Sequence, residues 1–559
     1  MRNRERYVRV GIILMAALLI VTGAVVVFSR FSYGKEWADY DRVYQTEKGA
    51  AIFVHNSQTS YHAVCRDGQV YLPVELVISE VDDRFYLGTD KVLMYTLPKE
   101  TVEVSPGQKS FSVGGEVTEA LWPICIEENG AVYVTAAFVE KLVDVEVFYY
   151  DEPERVLILP GSRAENRATA GRKAQVRVLA GRKSPILAEL KAGDTVYVLS
   201  RHGDWQRVRT TDGFIGYVPM AALEDPVSDA FVSEFVQPDY TGAGAEIDGP
   251  VRMVWHQVFV REANDMLEEY LEHAEGLNVI SPTWYALADE VGGITSLAER
   301  WYVEKAHELG LAVWGLVNDF DTKVDKFALL SDTTSRRMLI SNLIAEAREV
   351  GLDGINIDFE LIDSETGVHF LQFIRELSVE CRREGLVLSV DNYSLVGGRP
   401  WYDVAEQSVM ADFVIMMGYD EHWAGGAAGS TASIGFTKTT ISLALNKVPA
   451  EKLIHGIPFY TRVWGDENGK NVSSTAAGMA AAKELLEKNG AELKWLPGEG
   501  QFFGEYVSEG IRYRIWLEDT TSLKLKLDLI EANGLAGVAC WKLGLEDEAV
   551  WPLIADCLD

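Results

Sequence analysis

Gly351-Leu-Asp-Gly-Ile-Asn-Ile-Asp-Phe-Glu360 is the most informative segment of this 559-residue chain, and its second half is predicted to be a β-strand. Side chains alternate between the two faces of a strand, so apolar and polar residues separate here. The face suited to packing beneath helices carries Ile355, Ile357 and Phe359. The opposite face carries Asn356, Asp358 and Glu360. Buried carboxylates are costly unless they are satisfied or used, so we predict that this polar row is functional.

Residues 249–559 show the alternation of strands and helices that a parallel sheet requires. Eight strand candidates are present: Val251–Val258, Leu277–Pro282, Ala312–Val317, Gly354–Glu360, Val387–Asn392, Phe413–Tyr419, Leu453–Phe459 and Ala536–Trp541. Eight such units predict a (β/α)8 TIM barrel, whose active site lies at the carboxyl ends of the strands, where Glu360 is expected. Between the last two strands, residues 465–522 are predicted to form a small α+β insertion on the barrel rim.

The N-terminus predicts one transmembrane helix over an unbroken apolar stretch, residues 10–28. The basic residues that precede it are Arg2, Arg4, Arg6 and Arg9. The stretch is long enough to cross a bilayer, and the arginines should keep its N-terminal end in the cytoplasm. The alternative is a cleaved signal peptide with a small-residue site at 22–24. We expect residues 1–34 to anchor the chain in the cell membrane by a single pass, with the bulk of the chain extracytoplasmic.

An α+β domain is predicted over residues 36–160, where short strands are broken by turns. Two segments there are alike, Val70–Glu80 and Val132–Leu142, and each reads as a strand that enters a short helix. The region resembles the stalk domain found at the N-terminus of some copper amine oxidases and in many bacterial surface proteins. That resemblance implies a spacer without copper chemistry.

Residues 174–224 predict a compact all-β barrel, because alternating apolar residues are separated by Gly-Asp turns. The segment resembles bacterial SH3-like domains through Trp205 and the run Gly213-Phe-Ile-Gly-Tyr-Val218. Such modules often bind cell-wall peptides, and a spacer without a ligand is the open alternative. A linker is expected over residues 225–248.

Charge and cysteine usage limit the classes of partner. The formal net charge of −32 argues against nucleic acid, because phosphate binding needs clustered Lys and Arg. The five cysteines lack metal-ligand spacing, and we predict neither a metal nor a cofactor. Cys65 and Cys125 are expected either to pair within one domain or to be buried free thiols.

Four motifs in residues 249–559 resemble glycoside hydrolase family 18, the chitinase-like enzymes. Residues 353–360 are similar to the family's D-x-x-D-x-D-x-E signature. The other three motifs are similar to the ends of its sixth, seventh and eighth strands: Met416-Met-Gly-Tyr-Asp420, Gly456-Ile-Pro-Phe-Tyr460 and Gly537-Val-Ala-Cys-Trp541. Within the family, the bacterial spore and cell-wall N-acetylglucosaminidases are the most similar branch.

The resemblance implies substrate-assisted, retaining hydrolysis of a polysaccharide that contains N-acetylglucosamine. The acetamido carbonyl of the sugar attacks its own anomeric carbon, so one protein acid is enough. Glu360 would be that general acid, Asp358 would orient the acetamide N–H, and Tyr419 would donate a hydrogen bond to the acetamide oxygen. The substrate-binding residues implied are Asn356, Met417, Asp420 and Trp541, the last as an apolar floor under the sugar.

Asn356 departs from the family pattern, which usually has an aspartate at this position. A neutral amide cannot share charge with Asp358, so we expect the proton affinity of the carboxylates to fall and the pH optimum to shift. Further strand-end residues are weaker candidates, about half of which we expect to touch ligand on chemical grounds. They are Trp284, Tyr285, Asp391, Asn392, His422, Trp423 and Arg462.

Peptidoglycan is the substrate we favour, because the predicted anchor and SH3-like domain place the barrel at a bacterial envelope. Chitin and other N-acetylglucosamine glycans are open alternatives for the same barrel. A non-catalytic, lectin-like protein is a third hypothesis, although such proteins typically lose the acid that Glu360 provides here. A purely scaffolding barrel is a fourth, and the polar row argues against it.

Overall fold

The computed structural model describes residues 2–240, 247 and 249–557, and the side chains of residues 2–8 and 26–31 lie outside the described part. The chain divides into two compact units. One comprises Met1–Phe85 and Val104–Gln237, and the other comprises Tyr86–Glu103 and Pro238–Asp559.

The larger unit contains a closed barrel of eight parallel strands, which confirms the predicted (β/α)8 fold. In chain order the strands are β1 (Val251–His256), β2 (Val279–Pro282), β3 (Ala312–Asn318), β4 (Gly354–Asp358), β5 (Val387–Tyr393), β6 (Phe413–Met417), β7 (Leu453–Pro458) and β8 (Gly537–Trp541). Each strand pairs with the next, and β8 pairs with β1. All eight predicted strands are present, and Glu360 lies two residues beyond the end of β4.

Helices surround the barrel and alternate with its strands. Their bounds are Leu267–Leu271, Arg300–Glu308, Lys326–Ser331, Thr333–Val350, Gly367–Glu384, Val404–Met410, Ile434–Leu445, Thr520–Ala532 and Trp551–Ala555. Short 3-10 turns occupy Arg261–Met266, Pro400–Tyr402, Ala450–Lys452 and Glu548–Val550. Thr333–Val350 shows how the sequence sets such a helix. The Asp332 carboxylate caps its first turn, accepting from Ser335 N at 2.8 Å, and Gly351 ends it at φ +85°, a conformation that favours glycine.

Two apolar layers separate the inside of the barrel from its outside. Ile355, Ile357 and Phe359 of the β4 segment belong to the core between the barrel and the helices, as the alternation predicts. The interior core is a separate cluster that includes Val251, Trp255, Trp314, Ile415 and Ala539. Asn356, Asp358 and Glu360 are not part of this apolar interior cluster and lie toward the carboxyl end of β4.

An antiparallel five-stranded sheet follows β7 directly. Its strands in spatial order are Lys470–Gly478, Tyr460–Glu467, Ile511–Leu517, Gln501–Ser508 and Lys494–Leu496. The helix Met479–Lys488 packs on it through Ala482 and Leu486. A further strand pair after β2, Tyr285–Leu287 with Ile294–Ser296, also extends beyond the barrel.

Residues 86–103 belong to the barrel unit, although the sequence placed them in the stalk domain. They form most of a three-stranded sheet with bounds Phe85–Leu87, Leu93–Leu97 and Glu100–Val104. The Tyr86 hydroxyl lies 2.7 Å from Nδ1 of His369, on the helix after β4. Buried Arg336 stacks on the Tyr86 ring and pairs with Glu376 at 2.8 Å. These contacts tie the segment to two barrel helices.

The smaller unit contains two seven-stranded sheets and one pair. The first sheet has, in spatial order, Val145–Asp151, Glu154–Pro160, Ala50–Val54, Ser57–Arg66, Gln69–Pro73, Ala131–Thr135 and Cys125–Glu128. The second has Ile186–Leu190, Ala174–Arg177, Ile215–Pro219, Trp205–Thr210, Thr195–His202, Arg163–Thr169 and Val227–Phe231. The pair is Ser110–Val113 with Glu116–Glu119. Short helical segments are Tyr40–Tyr44, Thr46–Lys48, Val74–Leu76, Val77–Val81, Ala136–Leu142 and Met220–Ala222.

The second sheet contains the predicted SH3-like segment and two further strands, Arg163–Thr169 and Val227–Phe231, which lie together at one edge of the sheet. One of these, Val227–Phe231, falls within residues 225–248, which the sequence assigned to a linker. The linker positions 241–246 and 248 lie outside the described residues. All five cysteines are free thiols, so the predicted alternative of a Cys65–Cys125 bridge is wrong.

The N-terminal helix runs from Arg2 to Phe31. Within the described part of the chain, no helix has the length and apolarity needed to cross a membrane. Arg2, Arg4 and Arg6 lie outside the described side chains. The membrane anchor therefore stays a prediction.

Candidate active site

The polar row lies where the barrel sequence predicts it, at the carboxyl end of β4. Asn356 is fully buried, Asp358 is 6% exposed, and Glu360 is half-buried at the mouth. Asn356 stands next to Ser389 of β5 in the register, so the row faces polar groups from the neighbouring strand.

Asn356 uses both ends of its amide. Its Oδ1 accepts from Trp255 Nε1 and from Ser281 Oγ, each at 3.1 Å. Its Nδ2 donates to Ser389 Oγ at 3.0 Å and to Asp391 Oδ1 at 2.8 Å. Four hydrogen bonds to β1, β2 and β5 hold this amide in one orientation, so it acts as a fixed connector inside the barrel.

Asp358 is the buried acid of the row, and its Oδ1 has no hydrogen-bond partner within the described part of the chain. Burial raises the pKa of this carboxyl well above its usual range, and the charges of Asp391, Glu360 and Asp319 raise it further. The predicted effect of Asn356 on the proton affinity of the carboxylates is a comparison with aspartate at this position, and it stays a prediction. The largest of these charge effects comes from Asp391, which sequence reasoning treated only as a weaker candidate.

Glu360 is held from both its backbone and its side chain. Asp319, fully buried after β3, accepts the backbone N–H groups of Glu360 at 2.9 Å and Leu361 at 3.0 Å. The Tyr393 hydroxyl, at the end of β5, hydrogen-bonds the Glu360 carboxyl. Burial and the charge of Asp319 raise the pKa of Glu360, while the Tyr393 hydrogen bond and Arg399 lower it. The net shift is upward, so this carboxyl keeps its proton to higher pH than an exposed glutamate.

Aromatic rings form the opposite side of the interior. Trp255 lies 5.9 Å from the ring of Trp541 and 6.5 Å from that of Tyr419, edge to face in both cases. Tyr460 lies 6.3 Å from Tyr419 and donates its hydroxyl hydrogen bond to Asp420 at 2.6 Å. Burial raises the pKa of Tyr419 well above its usual range, so its hydroxyl remains a hydrogen-bond donor. Asp420 is exposed at the rim, with φ +56°.

The structure brings together every predicted catalytic and substrate-binding residue at one end of the barrel. Met417 is the last residue of β6 and is 8% exposed, and Trp541 ends β8 half-buried. Their roles toward a substrate stay predictions. In the described residues no group of three or more His, Cys, Asp or Glu side chains could hold a metal ion.

The weaker candidates from the sequence lie in different surroundings, and only some of them face the barrel interior or the rim. Asp391 faces the interior, whereas buried Asn392 donates to Gln407 Oε1 at 2.7 Å, away from it. Trp284 is fully buried and donates to Asn264 Oδ1 at 2.8 Å. The ring of Trp423 is exposed at the rim. Tyr285 is buried, His422 Nδ1 lies 2.8 Å from the Ala427 carbonyl, and Arg462 donates to Ser474.

Sequence reasoning missed Trp255, Asp319, Tyr393 and Arg399. Asp319 follows the third strand directly, as Glu360 follows the fourth, and an acid just past an apolar strand was the signal available for it. Tyr393 is the last residue of β5 and carries the same kind of signal.

Two family models match parts of this chain. Residues 318–546 match the family model for glycosyl hydrolases family 18, and residues 173–224 match that for the bacterial SH3 domain. The cortical fragment-lytic enzyme of Bacillus subtilis (strain 168) is 30% identical over 242 residues, covering 41% of this chain and 55% of that protein. The matched part thus spans about half the length of that relative. The uncharacterized glycosylase YvbX of the same organism is 27% identical over 292 residues, covering 50% of this chain and 84% of that protein.

A solved structure shows the fold. The Bacillus cereus spore cortex-lytic enzyme aligns with a TM-score of 0.51 at 18% identity, covering 66% of this chain and 90% of that one. The matched range, residues 318–546, includes Asp319, Asp358, Glu360, Asp391 and Tyr419. The chain therefore carries a family 18 glycosyl hydrolase domain, a domain of the glycosidase class, together with a bacterial SH3 domain.

Proposed function

We propose that the barrel hydrolyses β-1,4-linked polymers of N-acetylglucosamine, and that its substrate is peptidoglycan. One observation carries this proposal: a half-buried acid with a raised pKa, Glu360, stands beside a buried acid, Asp358, whose Oδ1 lacks a partner in the described part of the chain. Aromatic rings line the same interior and suit the faces of a sugar.

The first step breaks the glycosidic C–O bond. Glu360 gives its proton to the leaving oxygen, and the acetamido oxygen of the substrate bonds to the anomeric carbon. Asp358 accepts the acetamide N–H through its unpartnered Oδ1, and the positive charge that forms on the ring favours the ionised state of this carboxyl. Tyr419 donates its hydroxyl hydrogen bond to the acetamide and holds it in place.

The second step opens the cyclic intermediate. Ionised Glu360 takes a proton from water, and the water oxygen bonds to the anomeric carbon as the acetamide is released. Two successive displacements at the anomeric carbon each invert it, so the product has the same anomeric configuration as the substrate. Both proton transfers use the same carboxyl, which is why its proton affinity matters for the rate.

Two findings support peptidoglycan over other glycans. A cortical fragment-lytic enzyme is among the relatives, and a bacterial SH3 domain lies in the same chain. We further propose that the SH3 domain binds cell-wall peptide and that the N-terminal helix holds the protein at the membrane, with the barrel outside. Chitin, other N-acetylglucosamine glycans and glycan binding without cleavage are the alternatives that the experiment distinguishes.

The test is digestion of purified peptidoglycan and of chitin oligomers by the full chain, with mass spectrometry of the products. New reducing-end N-acetylglucosamine from peptidoglycan is the expected result. Cleavage of chitin alone would replace the substrate while keeping the reaction class. Binding without products from either polymer would favour the lectin-like alternative.

A further inference from the structure

The interior of the barrel holds a carboxylate that β4 does not supply. Asp391, on β5, is 2% exposed and accepts a hydrogen bond from Asn356 Nδ2 at 2.8 Å. Two donors, Trp255 and Ser281, already fix Asn356 Oδ1, so the amide can present only its N–H groups to β5. An amide nitrogen that donates to a buried carboxylate is a good partner for its charged form.

Asp391 also stands beside Asp358. The strands are in register with Asn356 next to Ser389 and Ile357 next to Val390, so the following residues, Asp358 and Asp391, are neighbours on the interior face. Both are buried, and Asp358 Oδ1 has no partner within the described residues. Two like charges this close in a dry interior cannot both be ionised at low cost, so the pair retains a proton.

We propose that Asp391 replaces, from the neighbouring strand, the carboxylate that Asn356 lacks, and that Asp391 and Asp358 share one proton across β4 and β5. Asp391 is then a positioning residue, acting on the reaction through Asp358. Its effect on catalysis rests on the proposed function, whereas the shared proton is a property of the free protein. Burial, the largest cause, raises the pKa of Asp391 to about 8, even though the Asn356 hydrogen bond lowers it.

Other charged and titratable groups surround the pair, and their charges raise or lower the pKa values of the buried carboxyls. Glu360 and Asp319 add negative charge, and Tyr419 stays un-ionised beside them. At the rim, Asp420 and Arg399 act on Glu360 with opposite sign, as does the hydrogen bond from Tyr393. Lys326 lies near Asp319 and lowers the pKa of that carboxyl. None of these side chains changes in the variants below.

Exchanging the two side chains provides a test that preserves the hydrogen bonds. In Asp391→Asn the interior loses one negative charge, so Asp358 should ionise at lower pH. In the double variant Asn356→Asp with Asp391→Asn the carboxylate returns on β4. An aspartate at position 356 still accepts from Trp255 and Ser281. Its contacts with Ser389 and residue 391 also remain, with the donor direction reversed in these two bonds.

The measurement is an infrared titration of un-ionised carboxylic acid in the full chain, followed by the pH dependence of peptidoglycan cleavage. We expect wild type to keep a buried acid band at neutral pH. In Asp391→Asn the midpoint should fall by about one to two pH units, and the double variant should recover it. The control is Glu365→Gln, which removes an exposed acid from the loop between β4 and the helix Gly367–Glu384 and should leave the band unchanged.

An unchanged midpoint in Asp391→Asn would overturn the shared proton, whatever the activity. A failure of the double variant to recover the band while it folds, judged by circular dichroism, would also overturn it. If Asp391→Asn does not fold, the midpoint of the double variant decides alone. A titration that behaves as expected in a protein that cleaves no glycan would leave the pair intact and contradict the proposed function instead.

Discussion

The acid role proposed for Glu360 requires a bound proton at the working pH, and the neighbours of this carboxyl set how tightly that proton is held. Asp319 raises the pKa of Glu360 through its charge, and Tyr393 lowers it by hydrogen-bonding the ionised form. The two residues come from different strands, β3 and β5, and contact different parts of Glu360. Their opposite signs allow a test in which one variant is the control for the other.

We predict that Asp319→Asn and Tyr393→Phe move the alkaline limb of the pH–activity profile in opposite directions. Activity is lost as pH rises through the pKa of the acid, so a lower pKa in Asp319→Asn moves this limb to lower pH. A higher pKa in Tyr393→Phe moves it to higher pH. We expect each shift to be about 0.5 to 1 pH unit, measured as kcat/KM against pH. Shifts of the same sign would contradict these assignments.

At the scale of one element, β4 depends on the helix that leads into it. The helix Thr333–Val350 begins at the Asp332 cap and ends at Gly351, so the chain turns into Gly354 with the polar row facing inward. Hydrogen bonds from Ser335 lower the pKa of Asp332, so its cap is ionised and fully present at neutral pH and is lost as pH falls through that lowered pKa.

Asp332→Ala should therefore lower the free energy of unfolding by about 1 kcal/mol at neutral pH. The measurement is urea unfolding followed by circular dichroism. Glu349→Ala, an exposed substitution in the last turn of the same helix, should change stability by less than about 0.5 kcal/mol. Equal losses of unfolding free energy in the two variants would contradict a stabilising role for the Asp332 cap.

Elements were more predictable than contacts between them. The eight strands follow from alternation and turn residues, which are local, and so do the faces of Asn356, Asp358 and Glu360. The pairing of Asp358 with Asp391 depends on the register of two strands that are far apart in sequence. The charge of Asp391 could therefore not enter the sequence-based expectation for Asn356, because that expectation considered one strand alone.

At the scale of the whole molecule, the chain divides differently from the sequence boundaries. Residues of the predicted stalk and SH3-like domains share one core, in which Phe53 and Leu157 pack with Val176 and Val208. Residues 86–103, in contrast, belong with the barrel. A local reading of strands and turns places boundaries at turns and linkers and does not reveal which segments share a core.

We predict that the protein unfolds in two cooperative steps rather than three. Backbone amides of Leu93–Leu97 should lose protection from hydrogen exchange at the same denaturant concentration as those of the barrel strands. Amides of Ala50–Val54 should lose protection together with those of Trp205–Thr210. Hydrogen exchange with mass spectrometry across a denaturant series measures this. Separate exchange of 50–54 and 205–210, or joint exchange of 93–97 with 50–54, would contradict the division.

The most direct test of the central claim compares wild type with Glu360→Gln in the digestion of peptidoglycan, followed by mass spectrometry. Glutamine keeps the shape of the side chain and cannot donate the acid proton. We predict fragments with new reducing-end N-acetylglucosamine from wild type and a loss of about 10²-fold or more in the variant, with binding to the polymer retained. Equal fragment yields from the two proteins would contradict the assignment of Glu360 as the acid.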